Sequence, residues 1–416
     1  MLALVTSTAS VEVVDLAAIG ADFDFTWAIN NAGEIVGVKT VSETESHAFI
    51  WDAGVFTDIG TLGGEFSNPT DVNDLGVVVG ESRAPDGNIH AFIWDTAGIR
   101  DLGTLGGFSS HAQAINDGGQ VVGVANTASG AERAFLWEAG SGMRDLGALG
   151  SFSGARDIND VGQVVGATGG LERYQAFRWT AEAGMQALGT LGGPTSAAWA
   201  INSLGQVVGV SDDASGNAVP FLWSEPTGMV SLGTLGGPGG FAFDINDAGQ
   251  IVGYSYLATG DARAFLWSEA TGMFELPSTD PPPDRGFLET LAIDMNDRGD
   301  AIGFVRIFDF EDFVEKNVLW SFGGRSGDPR EALEDLIDAV ERLAAAGEIS
   351  EARALSLLAK LDTALAALDA EVPAAPVRAL GAFIREVEAL KTAGLLSGDS
   401  ADALVLAAEE IIGLLP

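Results

Sequence analysis

Basic side chains recur at one fixed place in this sequence, four residues before a tryptophan that ends a motif such as Ala-Phe-Leu-Trp. Five of the seven residues at this place are basic or His, in a chain that has 59 acidic and 21 basic residues. Such a set could form a ring that binds an acidic or hydroxyl-rich ligand. Local pairing of each side chain with an Asp or Glu, such as Asp58, Asp101 or Asp145, is the competing interpretation. The candidate binding residues are His47, His90, Arg133, Gln175, Arg263 and Lys316, and Val219 completes the set.

Two further tryptophans form a second candidate set. Seven of the nine Trp residues end the repeated motif, and we expect these seven to pack in the protein interior. Trp27 and Trp199 instead lie just before an Ile-Asn pair and break the pattern. Because an indole face can stack on a sugar ring, we predict that Trp27 and Trp199 contact a ligand.

Closely spaced Asp and Asn residues suggest a calcium site. Oxygen ligands on a Gly-bearing loop suit this cation. The four segments concerned are 71–74, 157–160, 244–247 and 294–300, whereas Ala28, Ala114 and Ala200 replace the first Asp in three other copies. A hairpin turn explains all seven copies and calcium explains four. We therefore favour the turn and predict neither a metal ion nor another cofactor.

The sequence contains few residues that could form a catalytic site. The chain has no Cys and three His, which excludes a Cys nucleophile and makes a site with several His ligands improbable. A hydrolase or lyase that acts on an extracellular polysaccharide is the alternative function, and one repeat should then carry its own acid–base pair. The seventh repeat departs from the others, but its neighbouring carboxylates Glu311 and Asp312 need not converge on one substrate. We expect a protein that is not an enzyme.

The charge of the chain excludes two classes of partner. A net charge of −38 argues against nucleic acid and against an anionic membrane surface, because both require clustered Lys and Arg. No apolar run reaches the roughly 18 residues that a membrane span needs.

The elements that position these residues come from seven copies of one repeat. The spacing between successive marker Asn residues is 43, 43, 43, 43, 44 and 50, and the markers are Asn30, Asn73, Asn116, Asn159, Asn202, Asn246 and Asn296. Each copy contains about four short β-rich runs that end at Gly or polar turns. A repeat of this length with four strands is typical of a propeller blade. We predict a mainly β fold, a seven-bladed β-propeller of four-stranded blades over residues 11–320, and a parallel β-solenoid is the alternative.

The way the ring closes can also be predicted from the repeats. The first copy begins in frame at Val13–Gly20 and the last ends in frame at Trp320. If blades coincide with sequence repeats, the first blade packs on the seventh without exchanging a strand. The alternative is an additional edge strand from residues 2–7.

The repeats resemble a known family. The motifs His-Ala-Phe-Ile-Trp, Asp-Leu-Gly-Thr-Leu-Gly-Gly and Asp-Val-Asn-Asp-Leu-Gly-Val-Val-Val-Gly in residues 47–80, with their sister copies, look like the HAF repeats of bacterial extracellular proteins. This resemblance covers nearly all of residues 11–320. It implies a secreted or surface protein and no established chemistry.

A second domain follows the repeats. Only five of the 55 Gly lie after residue 327, and the segment 321–329 is a linker rich in Gly and Ser. Helical spacing of apolar residues predicts four short helices, near 331–345, 350–369, 380–390 and from Ser400 onwards, with Pro373 and Pro376 breaking the chain before the third. We assign residues 1–325 to the propeller and residues 326–416 to a small helical bundle. Residues 333–415 resemble the FIMAH domain, which implies export and docking but no catalytic residues.

Together these features predict a secreted or cell-surface propeller that acts as a binding, adhesion or structural module. The expected partner is an extracellular polysaccharide or a surface or matrix protein. The helical domain is expected to attach the protein or to mediate self-assembly.

Overall fold

The computed structural model describes residues 11–279 except 53 and 171, residues 287–309 and 312–322, and, further along, residues 349–369, 375–393 and several single positions. The chain divides into two compact units, Met1–Phe322 and Gly323–Pro416. We describe each unit by itself.

The N-terminal unit is a seven-bladed β-propeller, as predicted. Its strands form seven sheets of four antiparallel strands each. The innermost strands of the blades are β2 (Phe25–Ile29), β6 (Ser67–Val72), β10 (Gly106–Ile115), β14 (Phe152–Ile158), β18 (Gly192–Ile201), β22 (Gly236–Ile245) and β26 (Phe287–Met295). The second strands are β3 (Ile35–Thr40), β7 (Val78–Arg83), β11 (Val121–Thr127), β15 (Val164–Gly169), β19 (Val207–Asp213), β23 (Ile251–Leu257) and β27 (Asp300–Asp309).

The outer half of each blade carries the repeated tryptophan. The third strands are β4 (Ser46–Asp52), β8 (Ile89–Asp95), β12 (Glu132–Glu138), β16 (Tyr174–Thr180), β20 (Ala218–Ser224), β24 (Ala262–Ser268) and β28 (Asp312–Phe322). The fourth strands are β5 (Val55–Gly60), β9 (Gly98–Asp101), β13 (Gly142–Asp145), β17 (Gly184–Gly189), β21 (Gly228–Ser231), β25 (Gly272–Glu275) and β1 (Val11–Asp15). A 3-10 helix, Leu16–Ile19, follows β1.

The expected closure without strand exchange is wrong. Strand β1 pairs antiparallel with β28, with Val13 opposite Trp320, and so becomes the outermost strand of the seventh blade. In the first six blades the tryptophan strand forms a hairpin with the strand that follows it, so a blade is offset from a sequence repeat by one strand. The first Asp-Leu segment has no tryptophan strand before it and therefore completes the last blade. The alternative edge strand from residues 2–7 lies outside the described residues.

The core lies between neighbouring blades. In one cluster, apolar side chains from the first blade pack against those of the second, and its members include Val36, Ala48, Ile50, Val72, Val78 and Phe92. Burial of apolar surface between blades stabilises the ring, because no single sheet covers its own two faces.

The C-terminal unit contains two described helices, α1 (Glu351–Asp369) and α2 (Ala375–Thr392). They match the second and third predicted helices. Leu357 and Leu361 of α1 pack with Leu380 and Phe383 of α2 in one buried cluster. Pro376 lies in the first turn of α2 rather than before it, where its missing N–H costs no helical hydrogen bond. The predicted first and fourth helices lie largely outside the described residues.

Candidate binding site on the propeller axis

The seven innermost strands surround the axis of the propeller. Each one contacts the innermost strands of both neighbouring blades, and β2 contacts β26 to complete the circle. Residues at one level of these seven strands therefore lie around the axis.

Every innermost strand contains a β-bulge at the same place, three residues before the marker Asn. The pairing with the second strand skips one residue there, as between Ala112 and Ala114 in β10. A bulge re-aims the side chain of its extra residue. The extra residues, which we call the axial belt, are Trp27, Thr70, Gln113, Arg156, Trp199, Phe243 and Ile293.

A glycine on the second strand makes each bulge possible. A Cβ on Gly123 would lie 2.0 Å from the carbonyl oxygen of His111, and one on Gly209 would lie 2.1 Å from that of Ala197. The equivalent glycines of the other blades are equally close to the innermost strand, and they are Gly37, Gly80, Gly166, Gly253 and Gly303. The repeated Val-Val-Gly motif is therefore the sequence counterpart of the bulge.

Four side chains of the axial belt, those of the third to sixth blades, contact one another from blade to blade. Arg156 donates a hydrogen bond from Nη1 to Oε1 of Gln113, 2.8 Å away. Its guanidinium lies over the ring of Trp199 at 4.5 Å, and Trp199 meets Phe243 edge to face at 5.3 Å. Trp27 is 38% exposed and Arg156 is also exposed, although both lie on innermost strands. The belt is thus open to solvent at the axis.

A closed ring of asparagine side chains lies beside the belt. Each marker Asn donates from Nδ2 to the main-chain carbonyl of the marker Asn in the next blade, at 3.0 to 3.3 Å. Each Oδ1 accepts an N–H within its own hairpin, as Asn116 does from Gln120 at 2.9 Å. Gly119, at φ +72°, then supplies the left-handed residue of the turn. The marker asparagines therefore have a structural role, because both the amide N–H and the amide oxygen of each side chain form hydrogen bonds within the ring.

The asparagine ring surrounds an acidic cavity of about 230 Å³. The described residues that line it include nine Asp and neither Lys nor Arg. Four of these carboxylates accept a main-chain N–H from the next blade at 2.7 to 2.8 Å, in the pairs Asp71–Ile115, Asp157–Ile201, Asp244–Met295 and Asp294–Ile29. The remaining five are Asp74, Asp117, Asp160, Asp247 and Asp297 at the hairpin turns.

Burial changes the acidity of the four inner carboxyls. Loss of hydration raises the pKa of Asp71 and of Asp157 to about 7, against a usual value of 3.8. The pKa of Asp244 and that of Asp294 are also raised, first by burial, and for Asp294 also by the neighbouring charges of Asp244 and Asp71. Asp71 and Asp157 are therefore largely protonated in mildly acidic solution.

The basic candidates from the sequence lie away from the axis, on third strands. They share one register against the second strand, as in the pairs Ser82–His90, Ala125–Arg133, Thr168–Gln175, Ser255–Arg263 and Val305–Lys316. Because each belongs to its own blade, they do not converge on one point.

Local partners engage several of these side chains. Nδ1 of His47 lies 3.0 Å from the Asp58 carboxylate, and Nδ1 of His90 lies 2.8 Å from that of Asp101. Nε of Arg263 lies 3.1 Å from Glu275. The Arg133 guanidinium donates to the carbonyl of Ser151 at 2.8 Å.

The two tryptophan candidates occupy the same level of the propeller, and further belt residues share that level. Trp27 and Trp199 occupy the same bulge position in the first and fifth blades. Gln113, Arg156 and Phe243 belong to the same set but are not among the sequence candidates. All three lie three residues before a marker Asn, as Trp27 and Trp199 do, and this shared spacing in the sequence could have identified them.

The acidic loops do not assemble a metal site. Among the residues that the structure describes, no three His, Asp or Glu side chains come together in a way that could hold a metal ion. The candidate pair at Glu311 and Asp312 lies outside the described side chains. Neither of the two described helices is long and apolar enough to cross a membrane.

Comparison with known proteins identifies the C-terminal unit. Residues 333–413 match the FIMAH domain family. The two helices that we describe lie within this FIMAH domain. No curated protein sequence matches the chain.

Solved structures similar to this chain are propellers of distant sequence. TolB from Acinetobacter baumannii is 12% identical, over 69% of this chain and 79% of its own, with a TM-score of 0.39. The β-propeller domain of the Trilobed protease from Pyrococcus furiosus is 9% identical, over 71% and 98%, with a TM-score of 0.47. Virginiamycin B lyase from Staphylococcus aureus is 8% identical, over 75% and 99%, with a TM-score of 0.43. Such distant likenesses carry no argument about function.

Proposed function

We propose that this protein is a non-enzymatic binding module that acts outside the cell and holds an extracellular polysaccharide at the axial belt of its propeller. The FIMAH domain serves as the element of attachment or assembly.

One observation carries this proposal: the blades differ from one another where their side chains face the axis. The seven belt positions carry six residue types, whereas the marker Asn three residues later is identical in all seven repeats. A position that makes the same contact in every blade keeps the same side chain, as the asparagines illustrate. Divergence at a solvent-facing level, close to a position that does not vary, is what a binding site on a repeated scaffold requires.

The chemistry of the belt favours a sugar polymer. Trp27, Trp199 and Phe243 provide aromatic rings, on which the C–H faces of a sugar can pack. Gln113 and Arg156 add polar groups for hydroxyl and oxygen atoms beside those rings. A matrix protein is the second partner class expected from the sequence, and no belt contact favours it over a glycan.

Export and attachment rest on the sequence resemblances. The likeness of residues 11–320 to HAF repeats and the FIMAH domain at residues 333–413 both point to exported bacterial proteins. The absence of a catalytic set among the sequence motifs is the reason to propose binding without reaction.

The test is a binding measurement on immobilised polysaccharides. The intact protein is compared with the double variant Trp27→Ala/Trp199→Ala and with Phe108→Ala, which removes an aromatic ring that is 61% exposed and outside the belt. Each stacked ring contributes about 0.5 to 1.5 kcal/mol, so the double variant should bind roughly 5- to 150-fold more weakly. Phe108→Ala should bind like the unchanged protein.

Two results would contradict the proposal. Equal losses of polysaccharide affinity in the double Trp variant and in Phe108→Ala, with both proteins folded, would show that the axial belt is not the binding site. Shortening of the polymer during incubation would show an enzyme. Retained binding by Trp27→Phe/Trp199→Phe would confirm that aromatic character, rather than a change in folding, carries the effect.

A further inference from the structure

Arg156 stands out within the axial belt, because its charge has no carboxylate partner. Its guanidinium contacts the Gln113 amide oxygen and the Trp199 ring, and among the described residues it forms no ion pair with Asp or Glu. Five other arginines of the propeller pair with carboxylates within 4 Å, namely Arg100, Arg178, Arg263, Arg298 and Arg306. Partial loss of hydration lowers the pKa of Arg156, yet the group stays charged at any physiological pH.

We infer that the polysaccharide held in the axial belt is acidic, and that Arg156 binds the carboxylate of a uronic acid unit. This inference rests on the proposed function and names the substrate class of the same site.

The geometry around Arg156 suits a planar carboxylate. Gln113 engages Nη1 and Trp199 supports the flat face of the guanidinium, so both fix its orientation. An oriented guanidinium offers two parallel N–H groups along an edge, and a carboxylate accepts both. A sugar ring attached to that carboxylate would then lie beside the aromatic part of the belt, near Trp199 and Phe243.

The acidity of the protein does not prevent such binding. At physiological ionic strength charges are screened over about 8 Å, so most of the −38 charge acts weakly at the axis. The inner carboxyls that directly follow the belt in sequence are Asp71, Asp157, Asp244 and Asp294. Because burial raises the pKa of Asp71 and Asp157 to about 7, these two carboxyls are mostly neutral at pH 6.

The experiment compares a charged and an uncharged form of one oligosaccharide at pH 6 and physiological salt. The probes are a hexamer of galacturonic acid and its fully methyl-esterified form. The proteins are the intact chain, Arg156→Gln, Arg156→Lys and Arg144→Gln. Arg144 is the matched control, because its guanidinium also lies over a tryptophan, Trp179 at 5.1 Å, but on the outermost strand of its blade.

The inference predicts that Arg156→Gln weakens binding of the acid hexamer at least tenfold and leaves the methyl ester within twofold. Arg156→Lys should bind the acid hexamer with intermediate affinity, because it keeps the charge and loses the planar edge. Arg144→Gln should behave like the unchanged protein. Thermal unfolding of each variant establishes that it is folded.

Three outcomes would overturn the inference. Equal weakening of both hexamers by Arg156→Gln would mean that Arg156 only shapes the belt. Binding of a neutral hexamer of xylose with no binding of the acid hexamer would exclude an acidic ligand while leaving the proposed function intact. If no glycan binds at all, the proposed function fails, and the inference fails with it.

Discussion

The side-chain amide of Asn296 donates a hydrogen bond of 3.1 Å to the main-chain carbonyl of Asn30. These residues lie 266 positions apart and belong to the seventh and first blades. Their contact closes a ring that six equivalent bonds build around the axis. The pairing of β1 with β28 closes the same junction at the rim. The propeller is therefore closed twice, by a side chain at the axis and by a strand at the outside.

Removing the axial closure should destabilise the propeller. Asn296→Ala removes one of two hydrogen bonds to the Asn30 carbonyl, which keeps the N–H of Gly33, and leaves the half-buried N–H of Asp300 without its partner. An unsatisfied buried group costs about 1 to 3 kcal/mol, so the free energy of unfolding should fall by about 1 to 3 kcal/mol. Urea unfolding of the intact protein measures this change. Asn88→Ala, in an exposed turn beside Asp86, is the control and should cost less than about 1 kcal/mol. A similar loss in both variants would contradict a special role for the ring.

Stability should decline as the pH rises from 5 to 8. Because the pKa of Asp71 is about 7 in the folded protein and near 3.8 when unfolded, the folded state keeps a proton that the unfolded state releases between these values. The stabilisation is therefore complete at low pH and is lost as the pH rises through about 7. A difference of three pKa units corresponds to about 4 kcal/mol.

The variant Asp71→Asn tests this pH dependence. It keeps an oxygen that can accept the Ile115 N–H and removes the titrating group. Its unfolding free energy should fall less between pH 5 and pH 8 than that of the unchanged protein. Asp52→Asn, an exposed carboxyl, should leave the pH dependence unchanged. Identical pH profiles for all three proteins would show that Asp71 does not titrate in this range.

The glycine opposite each bulge should tolerate no side chain. In Gly123→Ala the new methyl group would meet the His111 carbonyl oxygen at 2.0 Å, so the bulge must move or the strands must separate. We expect a loss of about 3 kcal/mol or more in unfolding free energy. Gly170→Ala, where a new Cβ would come no closer than 3.9 Å to a neighbouring atom, should change stability by less than about 0.5 kcal/mol. If Gly123→Ala does not fold, comparing its soluble yield with that of Gly170→Ala gives the same answer. Equal stability of the two variants would refute the steric argument.

Substitutions at the third-strand positions should not affect ligand binding. His90→Gln and Arg133→Gln change side chains whose partners are Asp101 and the Ser151 carbonyl. Since these positions lie away from the axis, polysaccharide affinity should stay within twofold of the unchanged protein. A tenfold loss of affinity in either variant, with the protein folded, would show that the ligand binds at the basic third-strand residues expected from the sequence.

Local chemistry made much of the fold predictable. The count of seven blades, the four strands in each and the hairpin at every marker Asn follow from a repeat of about 43 residues, because turn residues and β-rich runs act over a few positions. Helices α1 and α2 follow from apolar spacing in the same way. The likeness of residues 11–320 to HAF repeats stays a prediction.

Contacts between blades decided what the sequence alone left open. Strand β1 joins the seventh blade because β28, the last tryptophan strand, has no following strand to pair with. This pairing forms only when the ring closes. The carboxylates of Asp71 and Asp157 accept main-chain N–H groups of the next blade, and no short-range sequence pattern predicts such a partner.

The candidate site, too, was predictable from the sequence only in part. The sequence singled out Trp27 and Trp199 as departures from the repeat, but the contacts of Trp199 with Arg156 and Phe243 required the bulge that turns one residue of each innermost strand towards the axis. Sequence by itself determined the repeat, its turns and its strands, since these depend on neighbours along the chain. Closure and the axial belt were decided by tertiary structure, because they depend on packing seven sheets around one axis.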